Sequence, residues 1–456
     1  MLRSEAMAGP NHDGVPGWAS PMQAAGPSRS RLEQAARLQQ QGCWLEAAAI
    51  YGALASQHPA DHRLHANQGN ALWLADLPEA GAEAYRRSLR LAPDSNVSLR
   101  GLASCLRDLK RWPEALRARQ LAADLLPPGS PEEAGNLWST SQLLVGAQRW
   151  PEAFAAMARR HHHPGAPPLN LLQPRLALES EQGYGDTFQF LRFVVDLVER
   201  RHAAGQHEPV DLWVEPNLVE LLQQGLAWLP SPPRLHGATS GAEAPLHPER
   251  CRPTLLDLPH HLGIAAIKPP GAYLRSALWP HGERRRRRAE RPGLVGLCWA
   301  AGRKLDDPFT SREYHKRSLP PALLWRLVEA LQQRGAGVVS LQVGDDADTA
   351  EAMGCALTPP PEPIASFLGT ARVLQQLDLL ITVDTAIAHL AGALDRPAWI
   401  LLPWSADPRW LEGGSHTPWY SSLRLFRQPR SGDWHGAIDG LLEAWDAGLA
   451  QGSVHD

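Results

Sequence analysis

The 456-residue chain lacks most of the signatures that assign a protein to a class at once. Its five cysteines are scattered without a CxxC pair, so neither a zinc site nor a disulfide framework is indicated, and a reducing, cytosolic setting is favoured. The formal net charge is only −3, which argues against nucleic acid as a partner. The chain also has no apolar run long enough to span a bilayer.

Three familiar catalytic motifs are absent as well. The sequence contains no GxxxxGK(S/T), no GxSxG and no HExxH, which disfavours a P-loop enzyme, an α/β-hydrolase and a zinc protease. Residues 1–30 are rich in Gly, Pro, Ser and Ala and have no apolar core. They are predicted to be a disordered leader rather than a signal peptide.

The N-terminal part of the chain repeats itself. Pro59, Pro93 and Pro127 are spaced 34 residues apart, and each follows an Ala-rich amphipathic stretch. This period and punctuation are typical of tetratricopeptide repeats. Residues 31–160 are therefore predicted to form three full repeats and a looser fourth, with a concave surface for a protein or peptide. Each predicted second helix opens at a Glu-Ala pair that follows a tryptophan, a proline or both: Glu46-Ala47, Glu79-Ala80, Glu114-Ala115 and Glu152-Ala153.

Two polar stretches divide the rest of the chain. Residues 161–170 begin with three histidines, but no carboxylate or cysteine stands at ligand spacing beside them, so a linker is favoured over a metal site. Residues 284–292 begin with five consecutive arginines. They are predicted to be a solvated basic hinge, and contact with an anionic membrane surface is the alternative.

Between these stretches, residues 175–180 predict a strand, and a glycine turn and an amphipathic helix follow. The turn, Gly183-Tyr184-Gly185, resembles the start of GxGxxG, but Phe188 occupies the third glycine position, so dinucleotide binding is poorly supported. The glycines favour a tight turn and the close approach of a substrate. Asp186 follows the turn directly, where the residues alone favour helix capping over catalysis.

After the hinge, residues 294–299 predict the first strand of a second α/β half. A long polar loop, residues 300–320, follows it and contains Lys316 and Arg317. Residues 337–343 predict another strand. The sequence Asp346-Ala347-Asp348 after it spells DxD, which is interpreted as helix capping. The final helix, residues 434–449, is predicted to fold back over the first half.

Residues 377–407 are the most informative segment. An apolar strand at 377–383 precedes a helix of small residues, Ala386–Ala393, and a second apolar strand at 398–403. Asp384 and Thr385 stand where the helix N-cap belongs. In open α/β sheets a helix start beyond a strand end favours an anion such as a diphosphate, which places Asp384, Thr385 and Ala386 at a predicted ligand site.

The segment VDTAIAHLAGALDRP, residues 383–397, resembles the C-terminal signature of the heptosyltransferase-like glycosyltransferases, family 9. EQGYGD, residues 181–186, resembles the N-terminal Gly-Asp motif of that family. The chain is similar above all to a bacterial subgroup in which such a domain follows tetratricopeptide repeats. The resemblance implies an α + α/β fold: helical repeats followed by a GT-B-like pair of Rossmann-like halves, at 171–283 (acceptor side) and 293–456 (nucleotide-sugar side).

The resemblance also implies roles for individual residues. Asp186 would be the catalytic base that accepts the proton of the acceptor hydroxyl. Lys316 and Arg317 would lie on the donor phosphates, although a surface charge pair at a helix start remains the alternative. The remaining substrate-binding residues implied are Gly183, Tyr184, Gly185, Gln189, Asp384, Thr385, Ala386 and His389.

The function implied is sugar transfer from a nucleotide sugar to a protein or cell-envelope acceptor, with the repeats recruiting the acceptor or a partner. No metal and no cofactor other than the nucleotide-sugar donor are expected. A cytoplasmic location is expected, with peripheral contact at the inner face of the membrane as an option. The alternative is a non-catalytic repeat-based interaction or scaffold protein with a degenerate GT-B domain.

Overall fold

The computed structural model describes residues 27–160, 169–238, 253–276 and 293–450, except residues 304, 306 and 356. Residues 1–26 of the predicted leader, the linker residues 161–168 and the basic hinge lie outside the described residues. Residues 27–30, predicted to be the end of the leader, are helical instead. Within the described part, helices alone occupy the first 160 residues, and two parallel sheets with their covering helices follow.

Eight helices form four hairpins in the N-terminal region: α1 (Pro27–Gln40) with α2 (Trp44–Gln57), α3 (His62–Leu74) with α4 (Pro78–Leu91), α5 (Asn96–Asp108) with α6 (Trp112–Ala123), and α7 (Pro131–Gly146) with α8 (Trp150–Arg159). The second helix of each hairpin begins next to its Glu-Ala pair, where the sequence predicts it. The helical hairpins are thus present, while their assignment to the tetratricopeptide class stays a prediction.

Each hairpin reverses direction through one residue in the left-handed conformation. Gly42, Asp76, Lys110 and Gln148 have φ angles of 80°, 58°, 60° and 57°. In each turn the next residue donates its N–H back to the helix, as Cys43 does to the carbonyl of Leu38. This is the Schellman arrangement, which satisfies the last carbonyls of the first helix. Three of the four turns adopt it without glycine.

The first sheet has three parallel strands in the order β1-β2-β3: β1 (Ala177–Glu179), β2 (Asp211–Val214) and β3 (Arg234–Gly237). Helix α9 (Tyr184–Ala203) connects β1 to β2, and α10 (Val219–Gly225) precedes β3. A short helix, α11 (Leu258–His261), lies further along the chain. Strand β1 is shorter than the predicted strand at 175–180.

The second sheet has five parallel strands in the order β5-β4-β6-β7-β8: β4 (Leu294–Cys298), β5 (Gly337–Ser340), β6 (Leu379–Val383), β7 (Ala398–Leu402) and β8 (Leu423–Arg427). Its helices are α12 (Pro308–Arg317), α13 (Pro321–Gln333), α14 (Asp345–Ala352), α15 (Phe367–Gln376), α16 (Ala386–Ala393) and α17 (Trp434–Ala450). Every residue of β6 and β7 is buried, which explains their continuous apolar sequences. The α + α/β class is confirmed.

Two predictions about this half are wrong. The polar stretch 300–320 is not all loop, because Asp307 caps α12 by accepting the N–H groups of Phe309 and Thr310. The last helix, α17, does not fold over the first half. It packs on its own sheet, with Ile438 and Leu441 buried in the same apolar cluster as Leu401.

One apolar core joins the N-terminal hairpins to both sheets. It runs from Phe154 in α8 through Phe188 in α9 to Leu390 in α16 and Leu402 in β7. Helices α9 and α16 pack directly on each other, so the first α/β unit meets the second at these two helices. Among the described helices, none is both long and apolar enough to cross a membrane.

Candidate functional site

The second sheet reverses its winding between β4 and β6. From β4 the chain passes to β5 on one side and then to β6 on the other side of β4. Ligands of open α/β sheets bind at such a point, beyond the carboxyl ends of the two strands. Trp299 and Ala300 follow β4, and Asp384 and Thr385 follow β6. The candidate site therefore lies at these two strand ends.

Two side chains hold the loop after β4 in place. The amide oxygen Oε1 of Gln342 accepts hydrogen bonds from the backbone N–H groups of Trp299 (3.1 Å) and Ala300 (2.9 Å). The hydroxyl of Ser318 accepts the N–H of Ala301 at 3.1 Å. Gln342 and Ser318 are both buried. The loop after β4 is therefore a fixed edge of the candidate site, which is called the crevice below.

The other edge of the crevice is the start of α16. Thr385 is the N-cap residue as predicted, but its hydroxyl does not cap the helix and lies 3.0 Å from the hydroxyl of Thr382. Asp384 is buried, and this burial raises the pKa of its carboxyl group. The amides of the first turn of α16, beginning at Ala386, are therefore not taken by the Thr385 side chain and suit an anion.

Lys316 and Arg317 end α12 beside this edge. A guanidinium nitrogen of Arg317 lies 3.5 Å from the backbone oxygen of Asp384, which brings this predicted phosphate ligand to the crevice. The ammonium group of Lys316 lies 2.7 Å from the carboxylate of Glu313. Burial lowers the pKa of Lys316. The two basic residues thus reach the crevice from one helix, but Lys316 is already paired.

A cavity of about 390 Å³ adjoins Lys316. The second α/β unit lines it with Trp404 and Ser405 after β7 and with Trp434 at the start of α17, and the helical hairpins line it with Trp44 and the turn at Asp76. Trp404 is one of the exposed large apolar side chains, and the Nζ of Lys110 lies 3.8 Å from the centre of one of its rings. The cavity thus lies between the hairpins and the carboxyl ends of the strands.

Asp186 lies in the first turn of α9 and serves two partners. One carboxylate oxygen accepts the N–H of Gly183 at 3.3 Å, which is the capping role expected from the residues alone. The other lies 2.8 Å from Nη1 of Arg409, in the segment after β7. Arg409 also pairs with Asp407 at 3.0 Å and donates to Oε1 of Gln189 at 2.8 Å. Arg409 therefore gathers two predicted residues, Asp186 and Gln189.

Gly185 brings α9 against α16. A Cβ atom at this position would lie 2.9 Å from Cδ2 of His389 and 3.7 Å from Cα of Ala386. The close approach that Gly185 permits is therefore to a helix, whereas the sequence analysis assigned it to a substrate.

His389 is buried at this interface. Its Nδ1 lies 2.9 Å from the hydroxyl of Tyr420, and its ring stacks on Trp410. Burial and the nearby Arg409 hold the pKa of His389 well below its ordinary value, so the ring is neutral. A donor contact through His389 stays a prediction.

Tyr184 faces away from Asp186 towards α15. Its hydroxyl accepts a hydrogen bond from Asn217 at 3.0 Å, and its ring contacts the ring of Phe367 edge-on. Gly183 is the N-cap residue of α9. The predicted residues thus form two groups. Asp186 and Gln189 meet Arg409, whereas Arg317 reaches the backbone of Asp384 and the neighbouring Lys316 pairs with Glu313.

The helix that carries Lys316 is anchored on the hairpins. Arg312, only 2% exposed, donates to the backbone oxygen of Trp73 at 3.0 Å and pairs with Asp76 at 2.9 Å and Asp108 at 2.7 Å. Phe309 stacks on the ring of Trp73. The hairpins therefore hold α12, and with it one wall of the crevice.

The DxD sequence lies in the first turn of α14, but it does not cap the helix as predicted: the N-cap residue is Gly344, and Asp346 accepts a hydrogen bond from the hydroxyl of Tyr314. In the described part of the chain, no three His, Cys, Asp or Glu side chains come together as a metal site.

The local sequence does not reveal the contacts that Arg409, Arg312 and Gln342 make in the structure. Their partners lie far away along the chain, so no local spacing marks them. The only signal was compositional, because Arg409 lies in a segment of aromatic and charged residues directly after a strand.

Comparison with known protein families gives a match within the second α/β unit. Residues 320–402 match the model of glycosyltransferase family 9 (heptosyltransferase). This segment runs from the residue before α13 to the end of β7 and includes Asp384, Thr385 and His389.

A curated relative, Protein FlbA of Caulobacter vibrioides, is 27% identical over 401 residues, which are 79% of this chain and 63% of that protein. The chain thus spans less than two thirds of this relative.

Two solved structures are similar at low scores. The E. coli heptosyltransferase WaaC with ADP-2-deoxy-2-fluoro heptose is 15% identical, with a TM-score of 0.38 over 61% of this chain and 100% of that one. A mutant of the Thermobaculum terrenum O-GlcNAc transferase is 13% identical, with a TM-score of 0.30 over 94% of each chain. Both scores are too low to assign a function.

Proposed function

We propose that the chain is a glycosyltransferase that moves a sugar from a nucleotide-sugar donor to a protein or cell-envelope acceptor. The observation that carries the proposal is the family 9 match over 320–402, because this segment contains the strand end and helix start that form one edge of the crevice. A phosphate-binding helix start at that position is what a nucleotide donor requires.

In this proposal the donor diphosphate lies at the start of α16. The first-turn amides, the hydroxyl of Thr385 and the guanidinium of Arg317 would hold its oxygens, and Lys316 would exchange its contact with Glu313 for a phosphate. The rest of the donor would extend into the 390 Å³ cavity beside Trp404. Stacking on an aromatic ring suits a nucleotide base.

Asp186 is the proposed base. The acceptor hydroxyl oxygen would bond to the anomeric carbon as the bond from that carbon to the diphosphate oxygen breaks, and the hydroxyl proton would pass to Asp186. The electron pair leaves with the diphosphate, whose charge the α16 amides and Arg317 would stabilise. Arg409, now paired with Asp186, would have to turn aside for the acceptor. No metal is needed for these steps.

The hairpins are proposed to recruit the acceptor or another protein partner. The protein would then act in the cytoplasm, and peripheral contact with the inner face of the membrane would rest on the arginines at 284–288. Because Arg312 packs into the hairpins, deletion of residues 31–160 would disturb α12 as well as any partner site. Point variants on the hairpins are therefore the better test of recruitment.

A second candidate is a non-catalytic binding or scaffold protein. The observation in its favour is that the proposed base and one proposed phosphate ligand are both neutralised within the chain, Asp186 by Arg409 and Lys316 by Glu313. A degenerate transferase could keep such ion pairs permanently.

A two-step experiment separates the candidates. A panel of nucleotide sugars is first screened by thermal shift, because a donor bound to the native state raises the melting temperature. Turnover and donor affinity are then measured for Asp186→Asn, with and without a chelator. General-base assistance contributes on the order of a hundredfold to ten-thousandfold, so turnover should fall by about that factor while donor affinity is unchanged.

Asp196→Asn is the matched control, since it makes the same change on an exposed position of α9 and should keep full activity. Undiminished turnover in Asp186→Asn would remove Asp186 from the mechanism. Donor binding without turnover on any acceptor would favour the scaffold, and loss of turnover on chelation would contradict metal independence.

A further inference from the structure

Helix α6 buries an arginine without a counter-charge. Arg119 is 3% exposed, and among the described residues the charged groups that act on it are two arginines, Arg100 and Arg107, with no carboxylate. Its terminal nitrogens have only two long contacts of 3.4 Å, to the side-chain oxygens of Asn136 and Ser104. Its Nε atom is buried and has no acceptor.

Such a burial is unfavourable without an anion. Buried charges in native proteins are almost always paired, because the cost of removing a charge from water is several kcal/mol. Burial, with added repulsion from the nearby Arg100 and Arg107, lowers the pKa of Arg119 to about 9. The guanidinium is still charged at neutral pH, so the unfavourable burial persists.

The side chain of Arg119 lines a small pocket. The pocket is about 100 Å³ in volume and lies on the face formed by the first helices of the hairpins. One buried water requires a cavity of roughly 10–15 Å³. The pocket therefore has room for a carboxylate or a phosphate group but not for a nucleoside. Its other walls include the polar side chains of Ser104, Ser139 and Gln142, and the rest of the lining is mostly apolar and aromatic.

We propose that this pocket binds an oxyanion, held by the guanidinium of Arg119 with the side chains of Ser139 and Gln142 beside it. The anion is either a carboxylate side chain presented by a polypeptide or a free phosphate, because both carry at least two negatively charged acceptor oxygens on one central atom. A guanidinium can donate to two such oxygens at once. The site belongs to the hairpins and does not depend on sugar transfer.

The test uses the full chain and two probes at constant ionic strength. One probe is inorganic phosphate, and the other is a capped Glu-Glu dipeptide, with the capped Gln-Gln dipeptide as its uncharged match. Saturable stabilisation in a thermal shift assay, followed by calorimetry, gives the affinity. Phosphate binding alone would identify a free anion, whereas binding of Glu-Glu but not Gln-Gln would identify a polypeptide carboxylate.

The decisive variant is Arg119→Met, which keeps the length of the side chain and removes the charge. Affinity for the probe should fall tenfold or more, since hydrogen bonds to charged groups are the strongest of their kind. Without the probe the variant should melt no lower than the wild type, because it loses an unpaired buried charge. Arg117→Met, on an exposed position of the same helix, should bind as the wild type does.

If Arg119→Met does not fold, Arg119→Lys replaces it, and the single ammonium group should still weaken binding several-fold because it cannot form the two-point contact. The proposal is overturned if neither probe stabilises the wild type, or if the Arg119 variant and the wild type respond alike. Neither result bears on sugar transfer, which is tested at Asp186.

Discussion

Asp108→Asn should loosen the attachment of α12 to the hairpins. The carboxylate of Asp108 is 3% exposed and accepts the indole N–H of Trp73 at 2.8 Å. It also pairs with Arg312 at 2.7 Å and with Arg107 at 2.8 Å. Asparagine keeps the size of the side chain but removes the negative charge that Arg312 and Arg107 share. Removing one partner of a buried ion pair typically costs about 3–5 kcal/mol.

Asp76 and Glu313 still contact Arg312 in the variant, so the lower end of that range, about 3 kcal/mol, is expected. This corresponds to roughly a hundredfold increase in the population of locally opened states. Hydrogen exchange of the α12 amides measures it directly and avoids the assumption that a chain of this size unfolds in one step. Protection of α12 should fall by about that factor, and the amides of helix α10, which lies beside the first sheet, should not change.

The loss should depend on pH in a defined direction. Burial alone raises the pKa of Asp108, but Arg107, Arg312 and Lys316 outweigh it and hold the pKa below its ordinary value. A carboxyl group with a depressed folded-state pKa stabilises the protein above its unfolded pKa of about 4, and the contribution disappears as the pH falls through the folded pKa. The difference between wild type and Asp108→Asn should therefore be constant near neutrality and shrink in acid.

Asp94→Asn provides the control, because Asp94 is exposed and lies in the turn just before α5. The reasoning is refuted if exchange from α12 is the same in Asp108→Asn and Asp94→Asn, since α12 would then be held by its own sheet and not by the hairpins.

Two further predictions concern the second α/β unit. Gly392→Ala should lower the free energy of unfolding by about 1–3 kcal/mol, because the new Cβ would lie 2.2 Å from the buried ring of Tyr420. Gly440→Ala has no atom within 4 Å of its new methyl group and should be neutral or stabilising by up to about 1 kcal/mol. Equal urea midpoints for the two variants would contradict this packing. Thr385→Val should weaken nucleoside diphosphate binding about threefold to tenfold by calorimetry, the value of one hydrogen bond, and an unchanged affinity would move the donor site elsewhere.

The sequence predicts the positions of helices and strands best where turn and helix-end signals coincide with the pattern of apolar residues. The unit β6-α16-β7 was located almost to the residue, because two fully buried strands read as apolar runs and Asp395-Arg396-Pro397 ends the helix between them. The hairpins were located by the 34-residue spacing of their prolines. Both signals are patterns along the sequence, so no knowledge of the tertiary structure is needed to recognise them.

The missing parts depend on contacts between distant segments. Helix α12 is polar, with charged residues on several sides, so its sequence predicts a loop. Its capping signal, Asp307-Pro308, is present in the sequence. The roles of Phe309 and Arg312, however, depend on their contacts with Trp73 and Asp108 of the hairpins, which no local pattern predicts. The pairing of Asp186 with Arg409 was invisible for the same reason, because each residue has an ordinary local role, capping a helix or solvating a loop.

The left-handed turns of the hairpins limit how this protein could be rebuilt from parts. Asp76 occupies one of these turns, with a φ angle of 58°, and directs its carboxylate to Arg312. A graft that joined foreign repeats to this α/β region would have to reproduce both that backbone conformation and that carboxylate. A consensus repeat with glycine at the turn would relieve the backbone but leave Arg312 one partner short. Chimeras should therefore keep α3 to α8 of the native chain and exchange only the first hairpin, α1 with α2.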